Sequence, residues 1–275
     1  MWKRQMVCIM FLLFSCDKAT ARSEPDSTAS SPLHSMKVYS TAVKDTFVID
    51  VSLPESYSSS GSIRYPVLYL TDGYWRRGQH QPIHAMAKIE NIQEMIIVGI
   101  GYPDSYDPNT IRLRDLIHGA DRFLSFILHQ VIPSIDSTYR TLPAERTLWG
   151  ASYGGYFTMY TLFRSADIAK DIFKNFIVAS AAASENTPSN NQEENLFDYE
   201  VRLSQKTATL QENLYITVGG NETSYFISSF DKLVSILTQR KYKGFFMKSF
   251  KNPGKDHFTV WEPTLYEGIR LFLKK

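Results

Sequence analysis

The run Gly150-Ala151-Ser152-Tyr153-Gly154-Gly155 constrains the fold of this chain more than any other segment. The stretch before it, 146–149, reads as a strand, and 153–165 reads as a helix. A strand can give way to a helix in so few residues only through a very tight turn. Side chains two residues either side of the turn's centre would collide, and both of those places are Gly. Ser152 then projects beyond the end of the sheet. The Tyr153 N–H and the positive end of the following helix face whatever meets its hydroxyl. Ser152 is therefore the candidate nucleophile, and the Tyr153 N–H a candidate oxyanion donor.

The rest of the chain supplies the sheet that such a turn needs. Positions 37–43 and 46–53 alternate apolar and polar residues and predict an antiparallel pair at a sheet edge. Positions 65–70 (YPVLYL) and 95–100 (MIIVGI) are continuous apolar runs, the pattern of strands covered on both faces. Further strands are predicted over 175–180, 214–218 and 245–250. Helices are predicted over 119–135, 195–208, 223–241 and 257–273, besides 153–165. Alternation of this kind implies right-handed crossovers and a mostly parallel sheet with helices on both faces. No internal repeat or Pro/Gly-rich linker interrupts 36–275, so a single α/β domain is expected where length alone would allow two.

The amino-terminal end reads as an address. Lys3 and Arg4 precede an almost wholly apolar run from Met6 to Phe14, too short to span a bilayer as a mature helix. Leu13-Phe14-Ser15-Cys16 has the form of a bacterial lipobox, which would end a signal peptide over 1–16 and leave Cys16 to be lipidated. Ala19-Thr20-Ala21 offers the other cleavage site, after 21, and would release a soluble exported protein. Residues 17–35, rich in Ser, Thr and Ala with Pro25 and Pro32, read as a flexible tether. Both readings place the domain over 36–275 on the periplasmic side of a bacterial envelope, or outside it. Cys8 and Cys16 are the only cysteines, which excludes a disulfide framework. Lys plus Arg number 30 against 28 Asp plus Glu, a net charge of +2 that gives no field for nucleic acid.

A serine of this kind needs a base, which should come last in chain order, and an acid between the two. Of six histidines, only His257 lies in a loop after the final strand, in Pro253-Gly254-Lys255-Asp256-His257. The strand over 214–218 ends in Gly219-Gly220-Asn221-Glu222, which makes Glu222 the candidate acid. Asp231 and Asp256 are its rivals. Glu222 could alternatively serve the first turn of the next helix. The second oxyanion donor should come from the loop after YPVLYL, from the backbone N–H of Tyr74 or its neighbour Trp75. His80 and His84 are four apart but have no Cys or carboxylate cluster beside them, so no metal and no cofactor is expected.

These segments together resemble the putative-esterase family of α/β hydrolases, the branch near the trilactone-siderophore (enterobactin- and salmochelin-type) esterases. The resemblance covers about 37–273. It is carried by Tyr65-Pro66-Val67-Leu68-Tyr69-Leu70-Thr71-Asp72-Gly73, by Arg112…Arg114-Asp115, by Gly119-Ala120-Asp121, by Gly150–Gly155, and by Pro253–His257 with Glu267-Gly268. It implies an α/β-hydrolase fold and a serine carboxylic-ester hydrolase acting on a small-molecule ester, of siderophore or aromatic acyl type. The run Arg114-Asp115-Leu116-Ile117-His118 is shorter than, and altered from, the family's Arg-Asp-Tyr-Thr-Pro, and it can line the acyl pocket.

An acyltransferase with the same three residues, or a binding lipoprotein with an inactive esterase fold, are the competing readings. Trp75 and Arg114 are the candidate substrate-binding residues. With Arg76, Arg77 and Arg112, Arg114 offers charge to an anionic ester, or simply a solvated surface. Tyr74, Tyr102, Trp149, Tyr153 and Tyr156 are candidates for an aromatic cleft or for core.

Overall fold

The computed structural model describes residues 32–184, 187–189 and 192–275. The signal and lipidation readings at 1–21, Cys16 included, and most of the tether lie outside the described residues. The chain runs β1 (His34–Ser40), β2 (Asp45–Ser52), β3 (Tyr65–Leu70), α1 (Gly73–Arg76), α2 (His80–Ile89) and β4 (Ile96–Gly101). Next come α3 (Pro108–Arg112), α4 (Ala120–Phe126), α5 (Ile132–Thr138), β5 (Thr141–Ala151), α6 (Tyr153–Phe163) and β6 (Asn175–Ala179). A small hairpin, β7 (Thr187–Ser189) with β8 (Gln192–Glu194), leads to α7 (Leu196–Lys206), β9 (Asn213–Gly219), α8 (Ser224–Arg240), β10 (Phe246–Asn252) and α9 (Trp261–Phe272).

Eight strands form one sheet in the order β1-β2-β4-β3-β5-β6-β9-β10. The β1–β2 and β2–β4 pairs are antiparallel and the remaining pairs parallel. This is the single α/β-hydrolase domain that the sequence predicts. The continuous apolar runs have a direct cause. Val67 and Tyr69 join the core on one face of the sheet, and Leu68 and Leu70 join the core on the other. Leu148 and Trp149 divide in the same way, Trp149 meeting Leu265 and Ile269 of α9 within the second core. With both faces covered, these successive positions are all apolar.

Boundaries moved where local bonds outweigh the apolar pattern. β1 stops at Ser40, not Val43, because Lys44 N–H bonds to the Ser40 carbonyl at 2.8 Å and the Ser40 hydroxyl accepts from Val43 N–H. β1 opens at His34, two residues before the predicted start of the domain at 36. The helix expected over 119–135 is divided by a wide π turn, Ile127–Val131. Pro133, just beyond it, has no N–H to continue the ladder. α9 starts at Trp261, four residues late, because Asp256 takes the N–H groups of Phe258 and Thr259 into a separate turn. That turn leaves His257 in a loop.

His80 and His84, on one face of α2, both reach Ser52. Its Oγ lies 2.8 Å from His80 Nδ1 and 2.8 Å from His84 Nε2. A hydroxyl has one proton, so it donates to one ring and accepts from the other. Burial holds both imidazoles at a pKa of about 4 and keeps them neutral in the fold, whereas an unfolded imidazole titrates near 6.5. Between those values the unfolded chain binds more protons, so stability falls as pH drops from about 6.5 towards 4. Each ring contributes up to about 1.4 kcal/mol per pH unit in that window. Urea unfolding at pH 7, 6 and 5 should show the loss. By NMR, the Cε1–H shifts of these two rings should stay at the neutral position down to pH 5.

Candidate active site

The carboxyl ends of β3, β5, β6, β9 and β10 converge on one place, as in other parallel α/β sheets. At the end of β5, Ser152 has φ +58° and ψ −116°, a left-handed conformation that a non-glycine residue adopts only when its surroundings enforce it. Three backbone bonds enforce it. Ser152 N–H bonds to Ala179 at 3.0 Å, and the Ser152 carbonyl accepts from Tyr156 at 2.9 Å and Ala182 at 3.2 Å. A Cβ on Gly150 would overlap the Gly154 carbonyl, and one on Gly154 would strike Thr71 and Asp72. The two glycines are thus needed for different partners, one within the turn and one across to the β3 loop.

Ser152 Oγ lies 3.0 Å from His257 Nε2. On the far side of the ring, Nδ1 lies 2.8 Å from Glu222 Oε2. With Nδ1 protonated and donating to the carboxylate, Nε2 is free to accept the Ser hydroxyl. The side chain of Glu222 is wholly buried. Its other oxygen accepts from Gly219 N–H at 2.7 Å and from the Ser180 hydroxyl. The acid and base loops are also tied to each other. Gly220 N–H bonds to Asn252, and Asn221 N–H bonds to Lys255 at 2.9 Å. A Cβ on Gly219 would meet the Lys255 carbonyl, so this glycine allows the approach. The imidazole stacks on Phe226, one turn into α8, with ring centroids 4.2 Å apart.

The rivals of Glu222 are engaged elsewhere. Asp231 pairs with Lys251 at 2.8 Å, and Asp256 caps its own turn. Ser180 and Phe226 were not singled out from the sequence. The available signal was position alone, Ser180 following β6 and Phe226 four residues after Glu222.

The loop after β3 brings Tyr74 to the same end of the sheet. Asp72 is left-handed at φ +56°, and Trp75 N–H closes back on its carbonyl at 2.9 Å. That bond uses the Trp75 N–H and leaves the Tyr74 N–H, like that of Tyr153, without a partner among the described residues. The loop packs against the β4 backbone through Gly73, Gly99 and Gly101; a Cβ on Gly101 would lie 2.6 Å from Tyr74 N. The Asp72 carboxylate is buried and held bidentate by Arg112, at 2.7 and 3.0 Å. The same guanidinium lies 3.4 Å from the carbonyl of Ala151, the residue before Ser152. Arg112 therefore joins the two loops that carry the free N–H groups.

A cleft of about 280 Å³ opens beside this pair, lined by Tyr74, Trp75, Tyr102, Tyr106, Pro108 and Arg112, among others. Trp75 is half exposed there. Arg114 is not among the lining residues. Its donors go to Asp115, at 2.8 and 2.7 Å, and to Asp45 at 2.7 Å, which lift its pKa further above the usual range. The neighbouring Arg112 occupies the cleft instead. Trp149 and Tyr156 are core residues. Among the described residues no group of three or more His, Cys, Asp or Glu is placed to hold a metal ion.

A family profile described as putative esterase matches residues 40–272. A search of curated proteins returned no match. Among solved structures, the BES protein from Bacillus cereus superimposes with a TM-score of 0.74 at 22% identity, covering 93% of this chain and 99% of that one. An IroE-like serine hydrolase from Shewanella oneidensis gives 0.73 at 24% identity, over 88% and 80% of the two chains. The siderophore hydrolase EstB from Aspergillus nidulans gives 0.74 at 19% identity, over 90% and 96%. At these identities the superpositions speak for a shared fold.

Proposed function

Because the chain belongs to the putative-esterase family and is a carboxylic-ester hydrolase, we propose that it cleaves esters with Ser152 as nucleophile, His257 as base and Glu222 as the acid that orients the base. The observation that carries this reading is the unbroken line Ser152 Oγ–His257–Glu222, at 3.0 and 2.8 Å. Ser152 attacks the ester carbonyl while Nε2 takes its proton. The oxyanion that forms lies against the N–H groups of Tyr74 and Tyr153, neither of which has another partner to give up. Glu222 stabilises the imidazolium. The imidazolium then protonates the departing alcohol, and a water activated by the same nitrogen cleaves the acyl-enzyme.

The aromatic lining of the cleft supports an aromatic or siderophore-type acyl ester as substrate. Tyr74, Trp75, Tyr102 and Tyr106 offer ring faces and edges to a planar group. The test is a hydrolysis panel of p-nitrophenyl butyrate, a feruloyl ester and a siderophore trilactone. A kcat/KM for an aromatic acyl ester at least tenfold above the butyrate value is expected. A preference for the short aliphatic ester would remove the aromatic assignment. Product analysis with added acceptor alcohols separates hydrolysis from acyl transfer.

The site of action is proposed from the sequence, in the bacterial envelope with Cys16 carrying the lipid. Among the described residues no helix is long and apolar enough to cross a membrane. A fatty-acid probe should label the parent and not Cys16→Ser. A mature amino terminus at Arg22 would instead show cleavage after Ala21 and no lipid.

A further inference from the structure

Among the described residues, Arg76 is the arginine whose surroundings invert the usual rule for a buried charge. It is 8% exposed, yet none of its N–H groups has a hydrogen-bond or ion-pair partner among the described residues. Its Nε is cut off from solvent. The other arginines at this end of the sheet are all paired, Arg77 with Asp50, Arg112 with Asp72 and Arg114 with Asp115 and Asp45. Two indoles hold Arg76 in place. Its Cζ lies 3.9 Å from the centre of the Trp261 ring and 4.8 Å from that of Trp149.

Those contacts engage the π-faces of the rings, and they supply no acceptor for N–H groups that all lie in the guanidinium plane. An unpaired cation in a buried place is costly. Burial lowers its pKa to about 10, with Asp72 too weak a counterweight. Trp261 is also the first residue of α9, a twelve-residue helix with no side-chain cap at its amino end.

We propose that Arg76 is the centre of an anion site that takes a carboxylate through the guanidinium fork, and that this carboxylate belongs to the ester substrate. A planar carboxylate matches the in-plane N–H pair, which a lysine in the same place would not offer. The assignment to substrate follows from position and rests on the Ser152 reading. Arg76 is two residues after Tyr74, Trp149 is three before Ser152, and Trp261 is four after His257. Arg76 thus belongs to the segment that carries an oxyanion donor, and the two indoles it meets belong to the segments that carry nucleophile and base.

The experiment has two arms, run on the full chain, Arg76→Met and Arg76→Lys, with circular dichroism melts to establish folding. In the first, glutarate is titrated against each protein by calorimetry. The parent should bind, and both variants should bind at least fivefold more weakly. In the second, p-nitrophenyl hemiglutarate is compared with neutral p-nitrophenyl butyrate. The ratio of kcat/KM, charged over neutral ester, should fall fivefold or more in both variants.

No glutarate binding by the parent, or equal binding by parent and variants, overturns the site. Binding as expected with an unchanged ester ratio overturns the assignment to substrate and leaves a site for free carboxylates. If the parent cleaves neither ester, the reading of Ser152 has failed, and the glutarate arm still decides whether the site exists. Should Arg76→Met not fold, Arg76→Lys keeps the charge over the indoles and carries both comparisons.

Discussion

Ser152→Ala is expected to lower kcat by about 10⁵–10⁶-fold and to abolish labelling by a fluorophosphonate. The variant loses the only atom that His257 Nε2 contacts on the nucleophile side, at 3.0 Å. What remains is the binding energy of the cleft and the oxyanion donors, which in triad hydrolases leaves a small residue of rate above water. The fold should survive. The +58° backbone at position 152 is held by bonds to Ala179, Tyr156 and Ala182 that use main-chain atoms only. Steady-state kinetics with matched thermal melts provide the check. Activity within tenfold of the parent would exclude Ser152 as nucleophile.

Glu222→Gln is the more discriminating change, and kcat should fall by about 10³–10⁴-fold. The carboxylate accepts on both oxygens, from His257 on one side and from Gly219 N–H and Ser180 on the other. An amide cannot reproduce that. If its NH₂ faces His257, Nδ1 must become an acceptor, and Nε2 then carries the proton it was meant to take from Ser152. If the amide turns round, two donors face each other at Gly219. Fluorophosphonate labelling should slow without vanishing. Asp231→Asn, which removes an ion pair to Lys251, and Asp256→Asn, which removes a charge but keeps the oxygen that caps its turn, serve as parallels. If either of these loses more activity than Glu222→Gln while folded, the acid has been misplaced.

The strands and the tight turn at Ser152 were legible because their causes are local. A strand buried on both faces needs apolar residues at every position, and YPVLYL spells that out. A turn with φ +58° at its centre needs glycine two residues away on both sides. The loop that bears His257 was legible from chain order. The helix start beyond it was not, because it was set by the Asp256 side chain taking two N–H groups.

The arginines show where local reading ends. Arg114 stands within the motif that resembles the family's, and Arg112 is two residues before it. Adjacent positions in a helical segment point in different directions, so one guanidinium meets Asp45 and Asp115 while the other crosses to Asp72 on the β3 loop. Which carboxylate an arginine finds depends on how loops from non-adjacent strands are brought together. The choice among Glu222, Asp231 and Asp256 has the same origin.

The sequence by itself determined the layered α/β architecture, the tight turn at Ser152 and the chain order of Ser152, Glu222 and His257. These follow from apolar periodicity and backbone sterics, which act between near neighbours. Only the tertiary structure decided that Ser180 and Gly219 hold the second oxygen of Glu222, that Arg112 rather than Arg114 reaches the cleft, and that Arg76 meets two indoles with no hydrogen-bond or ion-pair partner among the described residues. Most of those outcomes rest on contacts a few ångströms long between residues tens of positions apart, Ser180 with Glu222 and Arg112 with Asp72 among them. They are fixed by strand order and register, and no local pattern carries them.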